Sequence, residues 1–262
     1  MTGLPIRHDF AVQAELLGDR TSLAGQAYQG QMKANLGLDD DRKMILVMGG
    51  GEGVGSLATI VDELYRQLTQ AGVDATICVV CGRNEKLKTE LENTDWNQVL
   101  DTNKTTESRK RGWFGRRRGQ NDETAMETAG NTASPGRVKV VGLGFVTRMA
   151  EYMVAADVLV TKAGPGTIAE AASVGLPVML TSFLPGQEAG NVNYVVDNGF
   201  GEFHREPQQI AQHVAAWCQS PEKLADLSHH ARAAGNPTAA AEIVLDIGST
   251  THTWMALNRA KP

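Results

Sequence analysis

Lys43-Met-Ile-Leu-Val-Met-Gly-Gly-Gly-Glu-Gly-Val-Gly-Ser56 joins a short apolar run to a glycine-rich turn. An apolar run that ends in glycines predicts a buried parallel strand over residues 43–48. The following segment, residues 56–70, carries Leu57, Ile60, Val61, Leu64 and Leu68 at helical spacing. The stretch therefore predicts the first strand–turn–helix unit of an α/β domain.

The same alternation continues to the C-terminal part of the chain. Further strands are predicted at 75–81, 138–141, 157–160, 177–180 and, as a short edge strand, 201–203. Further helices are predicted at 85–91, 146–155, 167–173, 187–198, 207–219, 221–234 and 237–247. The fold class is therefore α/β, a Rossmann-like doubly wound parallel sheet with right-handed crossovers. Ligands of such sheets bind at the carboxyl ends of the strands.

The domain organisation follows from where this alternation begins and fails. Residues 1–42 are predicted to be a linker plus one helix, 43–248 the ligand-binding domain, and 249–262 a tail or helix. Within the domain, 101–137 is a long polar insertion rich in Thr, Ser, Gly, Arg and Asn. A stretch of this length and composition is either disordered or functional.

Composition excludes several classes of protein. A formal net charge of −5 argues against general nucleic-acid binding, which needs a basic surface. Apolar runs are far shorter than the roughly 18 to 20 residues of a spanning helix, so membrane contact is expected to be peripheral. Cys78 and Cys81 lie three apart in a predicted strand, where their thiols point to opposite faces, which argues against a redox or metal pair.

Two glycine-rich turns are candidates for binding an anion. Backbone N–H groups at a strand-to-helix turn, together with the helix dipole, suit a diphosphate. Neither the dinucleotide fingerprint nor the P-loop fits the first turn, and a plain tight turn remains an alternative. The candidates are Gly50, Gly51, Glu52 and Gly53 in the first turn, and Lys162, Gly164, Pro165, Gly166, Thr167 and Ile168 in the second.

Glu170 has two readings. Thr167 and Glu170 are spaced as a capping box, in which the glutamate bonds to the backbone at the helix start. A carboxylate also accepts two hydrogen bonds, which suits the hydroxyl pair of a ribose.

Two more turns carry candidates for a sugar and a base. Polar groups near residues 185–191 suit sugar hydroxyls, although an ordinary solvated helix start is equally consistent. The turn after the strand at 138–141 puts exposed backbone beside an aromatic, which suits the edge of a nucleobase. The candidates are Gln187, Glu188, Ala189, Gly190 and Asn191 for the sugar, and Gly144, Phe145 and Val146 for the base.

These motifs resemble those of the monogalactosyldiacylglycerol synthase family, within glycosyltransferase family 28. The resemblance rests on Gly3–Arg7, Met48–Gly53, Cys81–Asn84, Gly144–Val146, Thr161–Ala171, Gly186–Asn191 and Tyr194–Gly199. It implies the C-terminal half of a GT-B enzyme that transfers galactose from UDP-galactose to diacylglycerol with inversion and without a bound metal or other cofactor. It further implies that Arg7 and the two glycine turns hold the diphosphate, Phe145 and Val146 the uracil, Glu170 the ribose, and Gln187 with Glu188 the galactose.

The resemblance also implies what this sequence lacks. It begins at the family's domain junction, so we expect the general base and the lipid-binding surface in an N-terminal half that is absent, with Glu188 as a weak candidate base. The isolated chain is then expected to bind UDP-galactose and transfer little. Localisation at a plastid envelope or thylakoid membrane is implied by the family. The basic residues around Trp113-Phe114 in the insertion suggest contact with anionic lipid, with a solvated loop as the alternative.

Two functional alternatives stay open at this point. One is a family 28 enzyme with another lipid acceptor, of the lipid-linked muramyl-pentapeptide type. The other is a non-catalytic donor-binding subunit that needs a separate acceptor-domain chain. The six histidines lie outside the matching motifs and are expected at the surface or at helix caps; His229-His230 is only a weak metal pair.

Overall fold

A computed structural model describes residues 3–49, 54–101 and 135–259. Its sheet has six parallel strands in the order β3-β2-β1-β4-β5-β6. The strands are β1 Lys43–Met48, β2 Ala75–Val80, β3 Val138–Leu143, β4 Val158–Thr161, β5 Val178–Leu180 and β6 Gly201–Phe203. The predicted doubly wound parallel sheet is confirmed.

The described residues form helices on both faces of this sheet. They are α1 His8–Leu17, α2 Leu23–Asn35, α3 Val54–Gln70, α4 Glu85–Asn93, α5 Trp96–Asp101, α6 Met149–Ala155, α7 Pro165–Ser173, α8 Ala189–Asp197, α9 Pro207–Gln219, α10 Pro221–Ala234 and α11 Ala239–Arg259. Alternate residues of β1 enter two different cores. Ile45 and Val47 pack in a cluster with α3 and α9, whereas Met44 and Leu46 pack in one with α1, α6 and α7. Burial on both faces explains why the run is continuously apolar.

The strand order creates a crevice between β1 and β4. From β1 the chain builds outward through β2 and β3, then returns to add β4 on the other side of β1. Met48 at the end of β1 is aligned with Thr161 at the end of β4. The turns that follow these two strands therefore flank a topological switch point, where doubly wound sheets bind ligands.

The N-terminal segment differs from its prediction as a linker with one helix. It forms two helices, and both pack on α6. The helix α2 escaped prediction because it buries polar residues: Gln29 donates to the carbonyls of Ala155 and Ala156, and Lys33 pairs with Asp157. These partners lie more than 120 residues away, so no local apolar pattern marks the helix.

Three further features bear on the predictions. The last helix, α11, continues to Arg259, because Gly248 lies inside the helix rather than ending it. The short helix α5 was not predicted. Most of the polar insertion, residues 102–134, lies outside the described residues, and with it the basic-aromatic segment. Across the described ranges, every helix is too short or too polar to serve as a membrane span.

The cysteines lie as the strand geometry predicts. Cys78 belongs to the core on one face of the sheet and Cys81 to the core on the other, and both are free thiols. Burial raises the pKa of the Cys78 thiol to about 12. These two residues therefore form neither a disulfide nor a shared metal site.

Candidate functional site

The predicted site residues follow strands whose carboxyl ends lie along one edge of the sheet. The turns after β1, β3, β4 and β5 contain them. β3 and β4 are three strand spacings apart, about 14 Å. Gly50, Gly51, Glu52 and Gly53 lie outside the described residues, and Gly49 is the last described residue before them. The site is therefore built from the other three turns.

The turn after β4 leads into the N-terminus of α7. Gly164 is the N-cap, and Pro165 occupies the first helical position, where its missing N–H costs nothing. First-turn N–H groups, here those of Gly166 and Thr167, have no acceptor within a helix. A Cβ added at Gly166 would meet no atom within 4 Å. The packing of the chain therefore does not require this glycine, and the helix end is open to an anion.

The capping-box reading of Glu170 is wrong. Because α7 begins at Pro165, Thr167 is its third residue, and Glu170 lies a full turn inside the helix. Its carboxylate instead accepts two hydrogen bonds from Arg7, at 2.6 Å from Nε and 2.9 Å from the second guanidinium nitrogen. The Arg7 side chain is 57% exposed and that of Glu170 only 11%. Two residues predicted to contact different parts of the donor are therefore bonded to each other.

The turn after β5 is tied to the turn after β4. Lys162 Nζ donates to Glu188 Oε1 at 2.8 Å, and the Leu184 N–H donates to Glu188 Oε2 at 2.8 Å. Asn191 Nδ2 donates to the Ala163 carbonyl at 2.8 Å. The hydrogen bond from Lys162, and then that from Leu184, hold the pKa of the Glu188 carboxyl below its ordinary value of 4.5. The network brings three of the predicted residues together.

The remaining candidate residues differ in their exposure to solvent. Gln187, Ala189 and Gly190 are exposed beside this network. The Ile168 side chain is only 2% exposed and belongs to the core.

The turn after β3 presents Phe145 to solvent. Its side chain is 71% exposed, whereas Val146 packs partly against the core. A Cβ at the neighbouring Gly144 would meet nothing within 4 Å. An exposed aromatic beside an open backbone position suits a flat ring.

A cavity of about 610 Å³ adjoins the site between α7 and α8. Its size falls in the range of small-molecule pockets. Four predicted residues line it, Pro165, Ile168, Gly190 and Asn191, whereas Lys162, Glu188 and Phe145 do not. Leu4 and Tyr194 also line it, and the sequence had not singled out either as a contact.

One cluster that the sequence did not predict lies at β6. Glu202 Oε2 is 3.1 Å from His204 Nε2 and 2.6 Å from His213 Nδ1. The Glu-x-His spacing on a strand was the available signal, because residues two apart point to one face.

Comparison with known proteins assigns the chain to a family. The family model of the glycosyltransferase family 28 C-terminal domain matches residues 96–243, more than half of the chain. The chain belongs to glycosyltransferase family 28. The resemblance predicted from the motifs is confirmed.

Sequence relatives of this family 28 chain are named monogalactosyldiacylglycerol synthases. It is 34% identical over 250 residues to a probable chloroplastic one of Glycine max, covering 94% of this chain and 37% of the relative. It is 35% identical over 222 residues to monogalactosyldiacylglycerol synthase 1 of Arabidopsis thaliana, covering 83% of this chain and 34% of the relative. The chain thus spans between a third and two fifths of the length of these relatives.

Solved structures confirm the fold of this family 28 domain. MurG of Acinetobacter baumannii superposes with a TM-score of 0.52 at 18% identity, covering 83% of this chain and 53% of that chain. WaaG, a glycosyltransferase involved in lipopolysaccharide biosynthesis, superposes with a TM-score of 0.54 at 16% identity, covering 86% and 53%. Both are GT-B glycosyltransferases. At these identities the likeness concerns the fold alone.

Proposed function

We propose that this chain is the donor-binding half of a galactosyltransferase that makes monogalactosyldiacylglycerol from UDP-galactose and 1,2-diacylglycerol with inversion. The observation that carries the proposal is the open N-terminus of α7 beside the Lys162–Glu188–Asn191 network, at the switch point of the sheet. The names of the sequence relatives support the choice of galactolipid.

The diphosphate is the part of the donor that this geometry suits best. The first-turn N–H groups of α7 supply hydrogen-bond donors, and the positive end of its dipole favours negative charge. Lys162 adds a cation whose side chain is 43% exposed. In the transfer step the bond from the sugar to the diphosphate breaks, so these groups would stabilise the charge that develops on the leaving group.

The sugar and the uracil are assigned to the flanking turns. Glu188 accepts one bond from Lys162 and one from Leu184, which leaves lone pairs for hydroxyl donors of the galactose. Gln187 is exposed next to it. Phe145 lies beyond β1 and β2 from this network and would contact the uracil at the far end of the donor.

In this proposal Glu170 and Arg7 bind the donor while they remain bonded to each other. Their bidentate contact leaves each with capacity for a further partner, since a carboxylate oxygen accepts more than one hydrogen bond. We assign Glu170 to the ribose with Arg7 holding its orientation, and Arg7 to the diphosphate through its exposed side.

The general base is assigned outside this set of residues. A base must take a proton from the attacking hydroxyl, which needs a pKa close to the working pH. The pKa of Glu188 is instead held below its ordinary value by Lys162 and Leu184. Glu188 therefore suits ligand binding better than proton abstraction, and the acceptor half of the enzyme is expected to supply the base.

Calorimetric titration of the purified chain tests the donor assignment. We expect saturable binding of UDP and UDP-galactose at one site, and weaker binding of UDP-glucose if Gln187 and Glu188 contact the galactose 4-hydroxyl. The matched control is CDP, which carries the same diphosphate with another pyrimidine. Failure of UDP to bind would refute the proposal.

A radiolabelled transfer assay tests the division of labour. The chain alone, with UDP-galactose and diacylglycerol, is expected to form little product. Efficient transfer by the chain alone would show that the base lies within it and would contradict the assignment of Glu188.

The acceptor implies a membrane surface, and the relatives' names imply a plastid. We propose peripheral contact with anionic lipid through the basic segment that includes Arg116, Arg117 and Arg118. Flotation with vesicles that contain anionic lipid should carry the whole chain upward, and deletion of residues 102–119 should abolish this. Equal flotation of both proteins would exclude the segment as the contact.

A further inference from the structure

The cluster of Glu202, His204 and His213 has the composition of a transition-metal site. Each residue offers one ligand atom, and these atoms all lie within 4.8 Å of one another. Two imidazoles and one carboxylate form a ligand set that Zn²⁺ uses, usually with water in the fourth position. None of these residues belongs to the donor site described above.

The fold brings the three side chains together through two elements. Glu202 lies on β6 and His204 directly follows it, so their spacing of two directs both to one face. His213 lies in the middle of α9, which packs on that face of the sheet. The His204 N–H donates to the Leu180 carbonyl at 3.0 Å and so continues the pairing of β6 with β5. The three ligand residues therefore lie in, or directly after, hydrogen-bonded strand or helix backbone.

The three ligand atoms lie close enough together to share one tetrahedral ion after small movements of their side chains. Ligands at the Zn–N and Zn–O lengths of a tetrahedral site lie about 3.3 Å from one another. Glu202 Oε2 is 3.1 Å from His204 Nε2 and 2.6 Å from His213 Nδ1, so the second contact must lengthen by about 0.7 Å to admit an ion. The two imidazole rings, whose centres are 4.1 Å apart, must also move apart so that both nitrogens face the ion. Small side-chain rotations would place one ion between the three atoms.

We propose that Glu202, His204 and His213 bind one Zn²⁺-type transition-metal ion, which joins the edge strand β6 to α9. All three side chains are partly exposed, so an ion can enter and water can complete its shell. β6 lies two strand spacings, about 10 Å, beyond β4. The ion therefore stabilises the edge of the sheet.

The position of the site also links it to the turn after β5. Phe203 lies between the two β6-side ligands in sequence, and its ring contacts Phe183 at 5.6 Å. The Arg205 guanidinium covers both rings, at 5.4 Å from Phe183 and 5.7 Å from Phe203. An ion bound at His204 would hold this three-residue contact in place.

Metal titration of the tag-free whole chain tests the proposal. The protein is treated with EDTA, desalted, and titrated with Zn²⁺ in competition with a chromophoric chelator. We expect one site per chain, and at least a tenfold loss of affinity in each of His204→Asn, His213→Asn and Glu202→Gln. His230→Asn is the matched control, because His230 also lies beside a carboxylate, that of Asp226, but has no third ligand among the described residues.

Two further readouts distinguish a site from loose binding. Co²⁺ in place of Zn²⁺ should give the visible absorption of a four-coordinate site in the wild type and in His230→Asn, but not in the ligand variants. Zn²⁺ should raise the thermal unfolding midpoint of the same two proteins only. Cys78, Cys81 and Cys218 are all buried thiols, so competition from them for the ion is not expected.

The outcomes are decisive and independent of the donor assignment. No stoichiometric Zn²⁺ binding by the wild type, or binding that survives all three ligand substitutions, would show that the cluster is a hydrogen-bonded group and not a metal site. UDP binding is measured with and without Zn²⁺ in the same proteins. If the protein binds no Zn²⁺, UDP binding is still measured and still tests the donor site. If the protein binds no UDP, the Zn²⁺ titration still tests the metal site.

Discussion

The amino and carboxyl ends of the sheet both gather polar side chains, but they use them differently. At the amino end, Arg20 is buried and donates to the carbonyls of Met153, Val154, Ala156 and Val174. Asp157 accepts from Lys33 at 3.0 Å, from the Met44 N–H at 2.8 Å and from Lys43 at 3.5 Å. The hydrogen-bonding groups of Arg20 and Asp157 are therefore satisfied by the chain itself.

The carboxyl end leaves its polar groups open. Lys162 and Arg7 are each bonded on one side and exposed on the other, and Phe145 stands in solvent. A cavity adjoins each end, about 620 Å³ at the amino end and about 610 Å³ beside α7, so cavity size does not distinguish them. What distinguishes them is whether the hydrogen-bonding capacity of the side chains is already used.

The glycines also differ, in whether packing leaves room for a side chain. A Cβ at Gly201 would lie 2.0 Å from the Val178 carbonyl oxygen, and one at Gly235 would lie 2.5 Å from that of Ala172. These glycines are required by packing. Gly144 and Gly166, at the carboxyl edge, have free space around the same position. Packing therefore does not require glycine at these two positions, which is consistent with the proposed approach of a ligand.

The largest effect expected from this contrast is on stability. Asp157→Ala leaves Lys33 buried without its carboxylate, which should lower the free energy of unfolding by about 3 to 5 kcal/mol. Urea denaturation measures this change. Asp74→Ala, which breaks the exposed pair with Arg137, is the control and should change little. UDP affinity of folded Asp157→Ala should equal that of the wild type; a large loss would place the amino end in the binding site.

The Asp157 carboxylate also predicts how the stability of the protein depends on pH. Burial alone would raise the pKa of Asp157, but Lys33, Lys43 and the Met44 N–H outweigh it and hold the pKa below its ordinary value of 3.8. Its contribution to stability is therefore complete above the pKa of the unfolded chain and is lost as the pH falls through the folded value. Urea unfolding between pH 5 and pH 3 should show a smaller decline in Asp157→Asn than in the wild type. Equal declines would mean that other groups dominate.

The next substitution should weaken UDP binding without lowering the stability of the protein. Gly166→Ala should weaken UDP binding at least tenfold, or about 1.4 kcal/mol, because its methyl group occupies the space that an anion would use. The free energy of unfolding should stay level or rise, because alanine favours a helix more than glycine does. Gly248→Ala is the control, an equally open glycine on α11. Unchanged UDP affinity in Gly166→Ala would remove the α7 N-terminus from the site.

A third substitution tests the uracil contact. Phe145→Ala removes an exposed ring and should weaken UDP binding about tenfold, since stacking of a base on an aromatic is worth about 1 to 3 kcal/mol. Stability should change by no more than about 0.5 kcal/mol. Phe145→Tyr should retain affinity, and Leu23→Ala, an exposed residue on α2, should affect neither property. Calorimetry and urea unfolding together give both values.

The smallest effect concerns the partly exposed ion pair. Arg7→Ala should cost about 0 to 1 kcal/mol of stability, because 57% of the Arg7 side chain is exposed to water. A double-mutant cycle of Arg7→Ala and Glu170→Gln for UDP affinity reports whether the two act together. Strictly additive losses would indicate that Arg7 and Glu170 bind separate parts of the donor.

Much of the fold was predictable because its signals are local. The apolar run at 43–48 ends in glycines, and that is enough to identify a buried parallel strand. The helix α2 was not predictable in this way, because Gln29 and Lys33 look solvent-facing until their distant partners are known. The sequence left residues 249–262 as a tail or helix, and in the structure α11 continues through Gly248 to Arg259.

The candidate site was also predictable only in part. Which turns carry glycines and polar groups, and that these turns meet at one edge of a parallel sheet, follows from residue order alone, because strand alternation and helical periodicity are short-range properties. Which side chain bonds to which does not follow. Arg7 reaches Glu170 across 163 positions, and His213 joins Glu202 only because α9 packs beside β6. Such pairings depend on where the chain crosses itself, and no pattern within a short window contains that information.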